Sequence, residues 1–140
     1  MRIVKSALTY WALIFALGFV LGTVRVLWGA EALGERNFLL LEIPVMLAAS
    51  WLAARWLIAR FTIAQAGAAF VMGLLAFLLL MAAEVTLAST LGEGAAQWIA
   101  GLLKPPGLYG FAAQVAFALM PRLALHQAHR SHATDRAALP

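Results

Sequence analysis

The sequence predicts an all-α, polytopic membrane protein, a bundle of four transmembrane helices with a short interfacial helix in the third loop. Two features of composition and one of arrangement lead there. Hydrophobic residues make up 64% of the 140 residues and charged residues 11%, against roughly 25% charged in a typical soluble domain. A water-soluble chain of this size has too much surface to hide so many apolar side chains. Lipid solvates them and requires only that the backbone bond to itself. The apolar residues also fall into four runs, each long enough to cross roughly 30 Å of hydrocarbon.

The first run covers about 7–30, behind Arg2 and Lys5. A charged start before an apolar stretch resembles a secretory signal, and Ala30-Glu31-Ala32 mimics a cleavage site. A signal's apolar core, however, spans roughly 7–15 residues, so an uncleaved helix is expected. A polar loop follows, in which Asn37 is the expected N-cap of the second span, about 38–58. Trp51 and Trp56 fall in its last turns, at the depth where indole rings anchor helices. The third span, about 66–89, contains the unbroken apolar run from Gly73 to Met81. In the next connection Ala95, Trp98, Ile99 and Leu102 keep the i, i+3, i+4, i+7 spacing of an amphipathic helix. An interfacial helix over about 94–103 is expected there, ended by Lys104-Pro105-Pro106. The fourth span covers about 108–125, with Pro121 and Arg122 near its end. A polar tail, 126–140, is expected to be frayed or helical only at its start.

The basic residues set the orientation. Arg2, Lys5, Arg55, Arg60, Arg122, Arg130 and Arg136 lie on the side of the termini, Arg36 and Lys104 on the other, and Arg25 within the first helix. Positive residues stay on the cytoplasmic side, so both termini are expected in the cytoplasm. The same distribution accounts for the net charge of +4 without nucleic acid.

Charged residues inside spans cost several kcal/mol unless paired or hydrated, and they mark candidate sites. Arg25, Glu42 and Glu84 are three such residues, with Gln114 nearby. At about 1.5 Å of rise per residue, antiparallel threading brings Arg25, Glu42 and Glu84 to one level in the outer third of the bilayer, with Gln114 slightly deeper. Arg25 is expected to bond Glu42, Glu84 or both. One guanidinium against two carboxyl groups also allows a proton or cation site. Pro44, two residues beyond Glu42, removes a backbone hydrogen bond and is expected to kink the second helix.

Gly18 and Gly22 have the small-xxx-small spacing that lets helices approach closely, and Ala69 and Gly73 repeat it. These positions are expected to pack within the bundle. His126, His129 and His132 recur every third residue, which splays the first and last by about 120° on a helix, so a shared metal is not expected. Cysteine is absent, which excludes disulfides and thiolate chemistry. No histidine lies in a span to ligate haem, and neither a phosphate-binding loop nor a dinucleotide fingerprint is present. No enzyme activity and no cofactor are expected.

The stretch Gly18 to Arg25 is similar, over some eight residues, to the first helix of bacterial fluoride channels, but the later spans lack the polar track such channels use. The small multidrug-resistance transporters carry a glutamate in the first helix, where this chain has Arg25. Segments 18–25, 41–46, 50–55, 72–84 and 109–121 resemble a family of uncharacterised small four-helix inner-membrane proteins of proteobacteria. That resemblance implies a bacterial inner-membrane location and marks Arg25, Glu42, Pro44, Glu84 and Gln114 as positions to test. The expected function is that of a non-catalytic accessory or interaction subunit, meeting membrane lipids, another membrane protein or its own copies through helix faces. The alternative is a small proton- or cation-coupled transporter or channel using Arg25, Glu42 and Glu84.

Overall fold

The computed structural model describes residues 1–137, and the side chains of these except 30, 35 and 131–137; residues 138–140, the end of the expected tail, lie outside the described residues. All regular structure among them is helical. Helix α1 spans Arg2–Val24 and passes into a π-helical turn, Arg25–Gly29. A short α2, Ala30–Leu33, leads into α3, Glu35–Phe61. Helices α4 (Ala66–Thr90), α5 (Ala95–Leu102) and α6 (Gly107–Ala137) complete the chain. Four stretches are long and apolar enough to cross a membrane: Arg2–Gly29, Arg36–Phe61, Ala66–Thr90 and Gly107–Arg130. At about 1.5 Å per residue each exceeds the roughly 30 Å of a hydrocarbon core.

The helix ends follow from local chemistry. Gly34 adopts a positive φ of 80° and starts α3, and the Asn37 side chain donates to the Leu33 carbonyl at 3.0 Å instead of capping the helix. The expected Asn37 cap is thereby corrected, because only glycine takes Gly34's left-handed conformation cheaply. At the other end of α3, Thr62 is left-handed. Its N–H donates to the Ala59 carbonyl, and the Ile63 N–H donates to the Ile58 carbonyl. This is a Schellman closure, with Ile58 and Ile63 both buried beneath it. Proline does not end α6: the helix runs through Pro121 and on to Ala137. The expected frayed tail is corrected too, since Ala, Leu, Gln and Arg favour helix in water as in lipid.

The long helices pack in a ring, α1 against α3, α3 against α6, α6 against α4 and α4 against α1. Packing is uneven along the ring. At the end where α1 begins and α3 finishes, Ala7, Tyr10, Ala54, Leu57, Met72 and Phe117 are buried almost completely. The opposite end, where Arg25, Glu42, Glu84 and Gln114 lie, buries little beyond Ala88 and Gly29. The bundle is closed at the first end and splayed at the second.

A diagonal brace holds the closed end. Pro121 has no N–H to offer the carbonyl four residues earlier, that of Phe117. The Tyr10 hydroxyl donates to that carbonyl at 3.0 Å, and the two rings stack with centroids 4.5 Å apart. Gly73 permits the tightest contact: a methyl group built there would overlap the carbonyl oxygen of Ala118. Helices α4 and α6 thus meet backbone to backbone, as small residues in membrane helices allow.

Candidate functional site

The splayed end encloses a cleft of ≈ 720 Å³ between the four long helices, within the range of small-molecule sites, roughly 300–1,000 Å³. Ile14, Phe15, Leu80, Phe111 and Phe117 supply apolar wall, and the cleft reaches down to Ser50. Toward the open end Arg25, Glu42, Glu84, Glu93 and Gln114 line it.

These polar residues form two separate pairs. Arg25 opens the π-helical turn, and its Nη1 donates to Glu42 Oε2 at 3.1 Å, tying the end of α1 to α3. Their side chains are 28% and 11% exposed, respectively. Gln114 Nε2 donates to both carboxyl oxygens of Glu84, at 2.7 and 2.8 Å, tying α6 to α4. The expectation that Arg25 bonds either or both carboxylates resolves to Glu42, and among the described residues the partner of Glu84 is an amide, not a cation. Gln114 Oε1 is buried without a hydrogen-bond partner among the described residues.

Glu93 is a site residue that the spacing argument left in a loop. Gly92, with φ of 89°, allows a second Schellman closure, in which the Glu93 N–H reaches back to the Ala88 carbonyl at 3.0 Å. The closure turns Glu93 toward the end of α4 and the cleft. A glycine just past a helical run is the sequence signal that marks it. Helix α5 lies at the same end. Trp98 and Leu102 line the cleft, while Ile99 is 54% exposed. Two residues of the apolar stripe thus turn to the cleft, and Ile99 stays outside it.

The glycines divide by role. Gly18 and Gly22 both line the cleft. A methyl group on Gly18 would meet only the Met46 side chain, at 3.2 Å, and one on Gly22 would meet nothing within 4 Å. The pair leaves room where close helix packing was expected, and of the three glycines singled out only Gly73 packs against backbone. Helix α3 runs unbroken through Pro44, whose ring is exposed. The carbonyl that Pro44 leaves without a donor, that of Leu40, belongs to an exposed residue outside the cleft lining. His126 and His129 are exposed on α6, and the side chain of His132 lies outside the described residues.

One guanidinium thus faces three carboxyl groups around an apolar cleft. Arg25 pairs with Glu42, whereas Glu84 and Glu93 have no cationic partner among the described residues. Comparison of the chain with protein-family models, curated proteins and solved structures finds no match.

Proposed function

We propose that this is a non-catalytic multi-pass protein of a bacterial inner membrane that holds an amphipathic, lipid-like molecule between its helices. Both termini lie in the cytoplasm and the cleft opens toward the periplasm, an orientation supported by the bias of Lys and Arg toward the side of the termini. The observation that carries the reading is the contrast between the two ends of the bundle. Buried Tyr10, Ala54, Leu57 and Met72 fill one end. The other holds an apolar cleft with its polar groups gathered toward the mouth. An amphiphile has the complementary division, an apolar body to fill the cleft and a polar head to meet the mouth.

The protein serves as an accessory that presents or retains such a molecule. Transport of a proton or cation finds less support, since the packed end is filled mainly by apolar side chains such as Leu57 and Met72. Purification in mild detergent, followed by mass spectrometry of the intact protein, tests the reading. A bound amphiphile in a one-to-one ratio is expected, and it should be lost from Gly22→Leu, whose side chain would occupy the open space beside that position. Equal retention by Gly22→Leu and the parent protein would refute it.

A further inference from the structure

We infer that the cleft selects amphiphiles with a primary ammonium head, seated between Glu84 and Gln114. The inference rests on the amphiphile reading above and names the chemistry of the head group. Three observations support it. Glu42 is neutralised by Arg25 at 3.1 Å, which leaves that side of the mouth without net charge. Glu84 has only an amide partner among the described residues, whose Nε2 contacts both carboxyl oxygens and brings no positive charge. Gln114 itself lines the cleft, and its Oε1 is buried with no donor among the described residues.

Glu84 keeps lone pairs beyond those the Gln114 amide uses, and the Gln114 oxygen has no donor among the described residues, so neighbouring side chains offer acceptors to a ligand. An ammonium group supplies three N–H donors and one positive charge. A buried acceptor without a partner is costly, so a ligand that satisfies it gains more than one that merely fills space. Charge-assisted hydrogen bonds are the stronger kind, and Glu93 adds a second negative group on the cleft lining. Other head groups match less well. A sulfate or carboxylate meets repulsion from Glu84 and Glu93, a hydroxyl brings no charge, and a quaternary ammonium has no N–H to give Gln114 Oε1. The apolar body of the ligand lies along Ile14, Phe15, Leu80, Phe111 and Phe117.

Ligands sharing one twelve-carbon chain separate head from tail. Dodecylamine, dodecyltrimethylammonium, dodecanol and dodecyl sulfate are titrated into the protein in a neutral detergent, with bound molecules counted by native mass spectrometry. Dodecylamine should bind once per chain, at least about ten-fold more tightly than dodecanol or dodecyl sulfate, with the quaternary amine between. Glu84→Gln should reduce the preference for dodecylamine over dodecanol to within about two-fold while keeping dodecanol binding. Glu93→Gln, which leaves the Glu84–Gln114 contact in place, should weaken the preference in part.

Equal binding of dodecylamine and dodecanol to the parent protein overturns the ammonium inference and leaves the amphiphile reading intact. Binding of none of the four, or binding that Gly22→Leu does not reduce, overturns both. The ammonium has two natural sources, a phosphatidylethanolamine head group or a single-chain amine. Retention of phosphatidylethanolamine over phosphatidylcholine during purification assigns the first, and retention of neither phospholipid with tight dodecylamine binding assigns the second.

Discussion

Replacing Gly73 with alanine puts a methyl group where the backbone carbonyl oxygen of Ala118 already sits, with Pro121 Cδ at 3.3 Å. Neither neighbour is the tip of a flexible side chain, so α4 and α6 must separate to accept it. Overpacking of this kind costs about 1–3 kcal/mol. Against that, alanine is favoured over glycine inside a helix by up to about 1 kcal/mol. With the full offset the net expectation is a loss of about 0–2 kcal/mol, centred near 1.

Gly22 is the control. It sits in the same helical setting, but a methyl group there meets nothing within 4 Å. Only the propensity gain remains, and Gly22→Ala should be neutral or stabilising by up to about 1 kcal/mol. Unfolding of both variants in mixed micelles by titration with dodecyl sulfate, followed by circular dichroism, measures the difference. The two should separate by about 2 kcal/mol, with Gly73→Ala the less stable. If Gly22→Ala loses as much as Gly73→Ala, the splayed end is packed as tightly as the closed one and the reasoning fails.

Three further outcomes are expected. Tyr10→Phe keeps the stacking on Phe117 but strips the donor from a buried carbonyl, and unfolding of the variant should show a loss of about 1–2 kcal/mol. A double-mutant cycle with Arg25→Gln and Glu42→Gln should give a coupling energy of about 0.6 kcal/mol and not above about 1.7, the mean and maximum for polar contacts between membrane helices. The same cycle between Arg25 and Glu84 should give a value near zero. Because the chain has no cysteine, single cysteines report topology. Glu93→Cys should react with an impermeant maleimide on intact spheroplasts, and His126→Cys only after lysis; the reverse pattern would invert the proposed orientation.

Hydropathy made the four spans legible because it reports the solvent a segment prefers, and each span is a long, nearly uncharged run. It reports conformation less directly, which is why α6 continues through the polar residues after Leu125. That Arg25, Glu42, Glu84 and Gln114 gather around one cleft was also legible, since it follows from counting residues along antiparallel helices. Azimuth was not. Arg25, Glu42 and Glu84 were brought toward one level by counting, but which side each faces depends on how the helices rotate against one another. The structure accordingly gives Arg25 to Glu42 and Gln114 to Glu84. The brace between Tyr10 and Phe117 joins residues 107 positions apart, and no local pattern announces it. Pro121 is accommodated inside α6 by the distant Tyr10 hydroxyl, which bonds the Phe117 carbonyl. The Gly18-Gly22 spacing is the same whether it faces a neighbouring backbone or a cavity, and here both residues line the cleft.

Photocrosslinking in proteoliposomes tests the central claim most directly, using a lipid that carries a diazirine at the end of one acyl chain. The cleft predicts adducts on Ile14, Phe15 and Phe117, deep between the helices, and their loss in Gly22→Leu. Adducts confined to outward-facing positions such as Leu52, Trp56 and Leu78, unchanged by that substitution, would show that lipid bathes the bundle without entering it.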